Sequence, residues 1–314
     1  MSRGRALFFN GVAVPLIAYV VLSQLSHTFL DTIVAYMVSL STKTGPEFSN
    51  TVNEISSQYI LFARALGALV LSATLWQADR ALYRQIPFWN EAHRPFWQLD
   101  RIRKEELFRG LSSGLLAALV FIVFFTAAGQ ISYLGIYITS TMGTPIFPLF
   151  FLDLASLATL LVCEEYLFRH KILRTLLSRL PASSSIVLVS ALHTLVRHLQ
   201  FPLLAFDYVN LFCLNIALGY FFVKSGKCQR GLGFLVMFLC MLHNFGGLLL
   251  WGNESPSFFL FKAAPHSSAT VTGGTGGPLG GVGVFGILVL FAFGSYLTWK
   301  REREERRIAE RHGA

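Results

Sequence analysis

Five ionisable side chains interrupt otherwise long apolar runs. Glu164, Glu165 and Arg169 lie in LVCEEYLFRHKIL, His193 in VSALHTLVRH and His243 in CMLHNFGG. A charge in a hydrocarbon core costs roughly 2.5–3.5 kcal/mol on insertion scales, so such residues are candidates for function. Glu165 and Arg169 are four apart with the glutamate N-terminal, the favourable order for a helical ion pair. Glu164 points about 100° away round the same helix and is left without that partner. One carboxylate is tied up structurally; its neighbour is available. A carboxylate base with imidazoles suits the activation of a water and the stabilisation of an oxyanion. Glu164, His193 and His243 are also a conceivable metal-ligand set, although no HExxH spacing is present. Asp153 and Asp207 are further candidates. The plainer account makes the glutamates headgroup-level residues and each histidine a hydrogen-bonded core residue. Three separate apolar runs presenting such groups at compatible depths favour a site.

The elements that must position these groups are apolar helices. Of 314 residues, 54% are hydrophobic and only 14% are charged, against about 25% charged in a soluble domain. Mean hydropathy is +0.55. This excludes disorder, a coiled coil and a nucleic-acid-binding domain as first readings. Runs near spanning length cover about 6–26, 59–78, 111–131, 147–165, 184–201, 208–223, 231–251 and 281–299. Residues 27–41 read as a second, interfacial piece of the first helix. The expected fold is all-α and polytopic, with about eight transmembrane helices. With the N-terminus cytoplasmic, 22 of the 26 basic residues fall on the inner side. That asymmetry supports eight spans with both termini cytoplasmic and accounts for the net charge of +9 without nucleic acid.

Three regions follow: N-terminal helices over 1–146 with a basic cytoplasmic loop at 79–110, a core over 147–251, and 252–314. The last holds a Gly-rich outer loop (264–283), the final span and a charged tail. The N-terminus begins like a signal peptide but shows no convincing small-x-small cleavage site, so a retained first helix is expected. Cys163, Cys213, Cys228 and Cys240 form no CxxC pair and read as small core hydrophobes. Span five places His193 about 14 Å from its inner end, and span seven places His243 about 18 Å from its own. Glu164 is expected near the inner end of span four.

These residues resemble the CPBP family, the CAAX prenyl endopeptidase and bacteriocin-processing intramembrane proteases. The first motif, two glutamates, three residues and an arginine, stands as Glu164-Glu165-Tyr166-Leu167-Phe168-Arg169. The second, an apolar residue four before a histidine, is Val189 to His193. ALGYFFVKSGKCQRGLG at 217–233 matches the glycine-containing helix and polar turn that usually follow. The last is a histidine with an asparagine four positions on; His243 is present, but Gly247 takes the asparagine's place. Asn244 and Asn215 are the alternative amide donors. Glu105-Glu106-Leu107-Phe108-Arg109 is one residue short of the first motif and reads as an interfacial charge cluster. The resemblance covers about 147–250.

The resemblance implies that Glu164 acts as general base on a water, assisted by His193, while His243 donates to the developing oxyanion. Glu165 and Arg169 orient the glutamate helix; Asn244, beside His243, is a supporting candidate for the missing amide. It implies no cofactor and no metal. The expected substrate is a membrane-associated peptide, either a prenylated CAAX tail or a bacterial membrane peptide or C-terminal sorting segment. The expected location is a bacterial plasma membrane, with the endoplasmic reticulum as the alternative; oligomeric state stays open. Two other readings compete. A non-catalytic membrane regulator or immunity-type scaffold is favoured by Gly247. A proton-coupled transporter is disfavoured by the lack of inverted repeats and paired broken helices.

Overall fold

The computed structural model describes residues 9–40, 45–83, 101–136, 146–200, 205–225, 229–244, 259–263, 266, 268–272 and 280–312. A π-helical turn, Phe9–Ala13, leads into α1, Val14–Ser39. Then come α2 (Pro46–Tyr83) and α3 (Arg101–Ala127). Helix α4 has three stretches without a break: Ile146–Glu164, π-helical Glu165–Leu173 and Arg174–Leu177. It is followed by α5 (Ala182–Gln200), α6 (Ala205–Ser225) and α7 (Gln229–Asn244). The short α8 (Ala269–Thr272) precedes α9 (Val282–His312).

This is an all-α membrane protein. Among the described residues, five helical stretches are long and apolar enough to cross a bilayer: Gly11–Ser39, Tyr59–Ala78, Lys104–Ala127, Ala205–Val223 and Val282–Glu305. Gln229–Leu242 is a shorter apolar helix. The two helices that carry Glu164 and His193 are not among the five.

Three expectations change. Residues 27–39 are not a separate interfacial piece; they continue α1. Helix α4 runs on past Glu164 to Leu177, so the glutamates stand in the helix interior and not at its inner end. The basic loop also shrinks, because α2 extends to Tyr83 and α3 begins at Arg101. Residues 84–100 between them lie outside the described residues, as do Cys228, Gly247 and 273–279 of the Gly-rich loop. The charged tail is helical and continuous with α9.

Two short strands were not anticipated. β1 (Ile131–Ile136) and β2 (Phe259–Ala263) pair antiparallel, with a register shift between Tyr133 and Gly135. Gly129, at φ +66°, turns the chain out of α3 into β1, a conformation that suits glycine.

The core is continuous from Tyr19 of α1 through Phe121 and Phe125 of α3, Leu157 to Leu176 of α4, Leu218 of α6 and Phe234 to Leu242 of α7. Lipid-facing positions such as Leu116, Phe124, Leu195, Leu290 and Phe293 are exposed, as a bilayer-facing surface requires. Helices α3 and α7 approach through glycines. A Cβ at Gly110 would strike the Arg230 carbonyl, and one at Gly233 the Leu107 carbonyl. Small residues permit such backbone contact inside membranes. Gly233→Val should therefore lower the unfolding free energy by about 1–3 kcal/mol, read as a reduced unfolding temperature in detergent. An unchanged transition would mean that the two helices do not meet at this face.

Candidate active site

Glu164 and Glu165 sit where α4 changes from α- to π-helical hydrogen bonding. π segments inside α-helices occur often at functional sites, because the wider turn redirects side chains. Here it directs two adjacent carboxylates into the protein. Their exposures are 2% and 1%, and that of Arg169 is 1%. Carboxylates so deeply buried require partners.

Glu165 has the partner its spacing implied. Arg169 Nη1 lies 2.8 Å from Glu165 Oε1. Arg169 also reaches sideways: Nη2 donates to Asn215 Oδ1 on α6, and Nη1 lies 3.3 Å from His193 Nδ1. Asn215 Oδ1 is 2.8 Å from the same His193 Nδ1. Nδ1 cannot both donate to Asn215 and accept from Arg169. The guanidinium is an obligate donor, which fixes the facing Asn215 atom as the carbonyl oxygen. The shorter contact to that oxygen makes Nδ1–H the donor. Nε2 is then the imidazole's bare acceptor, and it faces Glu164 Oε2 at 3.6 Å. Phe168 stacks on the ring, with centroids 4.1 Å apart and planes at 17°, so the imidazole is held on its face as well as its edge.

Glu164 is not paired with Arg169, as the spacing implied, but it has partners of its own. Arg197 Nη2 donates to its Oε2 at 2.6 Å, and the Tyr19 hydroxyl donates to its Oε1 at 2.5 Å. Arg64 of α2 is buried within electrostatic reach of Glu164, Arg197 and Tyr19. Arg197 carried a signal in the sequence: it is an arginine in an apolar helix, four residues after His193 and hence on the same face. Tyr19 carried none, since a tyrosine in an apolar run is unremarkable until its neighbours are known.

The structure thus brings together Glu164, Glu165, Arg169, His193 and Asn215. It leaves the two aspartates apart. Asp153 is eleven residues before Glu164 on one helix, about 16 Å away; Asp207 is eight before Asn215, about 12 Å. His243 and Asn244 end α7, and their side chains lie outside the described residues. Near the start of α7, Gly231 faces Glu165: a Cβ there would lie 3.8 Å from Oε2. His243 is twelve residues further, about 18 Å along the axis. Helix α7 therefore begins level with Glu165, and His243 lies about 18 Å beyond that level, the distance counted from the sequence. Among the described residues, no group of three or more His, Cys, Asp or Glu is placed to hold a metal ion.

Residues 145–246 match the family model described as type II CAAX prenyl endopeptidase Rce1-like. That segment belongs to the CPBP family. The match spans about a third of the chain and contains both glutamates, Arg169, His193, Arg197, Asn215 and His243. Tyr19 contacts this segment from outside it, and Arg64 lies within electrostatic reach of it. The Rce1-like family is a protease family of membranes, which agrees with the apolar helices seen here. Neither the comparison with curated proteins nor that with solved structures gives a match.

Proposed function

We propose that this protein is an intramembrane endopeptidase that hydrolyses a peptide bond of a membrane-associated substrate with a glutamate-activated water. One observation carries the reading: two acceptor atoms, Glu164 Oε2 and His193 Nε2, face each other at 3.6 Å in a buried setting. Two acceptors cannot bond to each other, but a water beside the pair would donate one O–H to each. Glu164 takes the water's proton as its oxygen attacks the peptide carbonyl, and returns that proton to the leaving amine. His193, fixed by Asn215 and Phe168, orients the water. Each carboxylate oxygen has two lone pairs, so the donors Tyr19 and Arg197 leave room for this contact. The oxyanion role of His243, with Asn244 in support, rests on the family resemblance alone, since the axial count sets His243 about 18 Å from Gly231 beside Glu165. The glutamic-type chemistry uses no metal and no cofactor.

The substrate class is a prenylated CAAX-type or C-terminal sorting peptide, reached from the bilayer. The full topology is eight spans with both termini cytoplasmic, supported by the one-sided distribution of basic residues. Gly247 supports a second reading, a non-catalytic membrane regulator of the same fold, because glycine supplies no side-chain amide.

The test is cleavage of an internally quenched farnesylated CAAX-type peptide, and of its unprenylated form, by the full chain in detergent. His193→Ala should lower kcat about 100-fold or more with an unchanged size-exclusion profile, and activity should survive chelation. Undiminished cleavage by His193→Ala would remove the histidine from the mechanism. No cleavage of any membrane peptide by the wild type would favour the regulator.

A further inference from the structure

The Glu164 carboxylate has one contact that the family segment does not supply. Tyr19 is 3% exposed on α1, 145 residues earlier in the chain, and its hydroxyl donates to Oε1 at 2.5 Å. Hydrogen bonds to ionised groups are short and about twice as strong as neutral ones. The ring of Tyr19 packs edge-on against Phe168, centroids 6.1 Å apart and planes at 88°. Phe168 in turn stacks on His193. One side chain of the first helix therefore touches the proposed base with its hydroxyl and, through Phe168, backs the imidazole.

Arg197 alone would not fix the carboxylate. It grips Oε2 with Nη2, leaving the group free to swing about that single contact. A second donor on the other oxygen, from a different helix, defines the carboxylate plane. That plane decides which lone pair of Oε2 faces His193 Nε2.

We propose that Tyr19 is a positioning residue of the hydrolytic site: its hydroxyl sets the plane of the Glu164 carboxylate, making α1 a working part of the site. This rests on the assignment of Glu164 as base. The residue touches neither substrate nor reacting atoms, so its effect is expected in kcat and not in KM.

Tyr19→Phe keeps the ring and its packing on Phe168 and removes only the donor. In the full chain in detergent, with the quenched farnesylated CAAX-type peptide, kcat should fall about 10- to 100-fold with KM unchanged. Tyr19→Leu should lose as much kcat and unfold at lower temperature as well. A double-mutant cycle of Tyr19→Phe with Glu164→Ala, which removes the acceptor, reads the contact on thermal unfolding without activity, and should be non-additive. Wild-type kcat in Tyr19→Phe, a rise in KM alone, or strict additivity would each overturn the proposal. Such results beside an inactive Glu164→Gln would leave Glu164 as base. Full activity in Glu164→Gln would remove the base and this proposal together.

Discussion

Glu164→Gln is expected to reduce peptide cleavage by about a thousandfold or more. The amide matches the carboxylate in shape and can still accept from the Tyr19 hydroxyl. It cannot take a proton from water. The loss should therefore appear in kcat, with substrate binding little changed. Stability should fall too, for a separate reason. Arg197 and Arg64 are buried beside Glu164, and neutralising that carboxylate leaves their charge uncompensated in a dry interior. The variant should unfold at a lower temperature while eluting as a monodisperse species. Kinetics and unfolding are to be measured on the same preparation. Substantial turnover by a folded Glu164→Gln protein would mean that another group activates the water.

The second large effect is expected at Arg169. This guanidinium binds Glu165, donates to Asn215 and lies against His193, at 1% exposure. Arg169→Ala strands the buried Glu165 carboxylate and opens a cavity. Removing one partner of a buried pair costs about 3–5 kcal/mol, which should show as a large fall in unfolding temperature in detergent. Arg169→Lys should rescue little, because an ammonium lacks the planar fork that reaches two partners at once. Restoring neutrality by combining Arg169→Leu with Glu165→Leu should recover part of the stability but no activity, since Asn215 loses the donor that fixes its orientation. An unfolding temperature within a degree or so of wild type for Arg169→Ala would show that the pair is solvated.

These expectations were unevenly legible in the sequence. The Glu165–Arg169 pair was readable because it depends only on spacing along one helix. The apolar core and the membrane setting were readable from composition. The depth of the glutamates was not, because RHKILRTLL after them has the basic character of a cytoplasmic segment, yet the structure keeps it helical, with Arg169, Ile172, Leu173 and Leu176 buried. Nor was the π segment, whose backbone bonding leaves no residue signature. Asn215 appeared only as one of two spare amides; its role depends on the approach of α6 to α5. Arg197 was legible in hindsight, from its place one turn beyond His193. Tyr19 was not, since nothing local separates it from other apolar-run aromatics. The β1–β2 pair escaped because two short strands far apart in the chain carry no periodicity of their own.

The glycine contact between α3 and α7 has a consequence for biosynthesis. Gly110 and Gly233 are about 120 residues apart, so α3 has left the ribosome well before its partner exists. At 5–20 residues per second the interval is roughly 6–25 s. During that time the small-residue face of α3 must be shielded by lipid or by an insertion factor, and a nascent chain stalled there would expose it. The same delay keeps the protein from completing α7 until most of its helices are in the membrane.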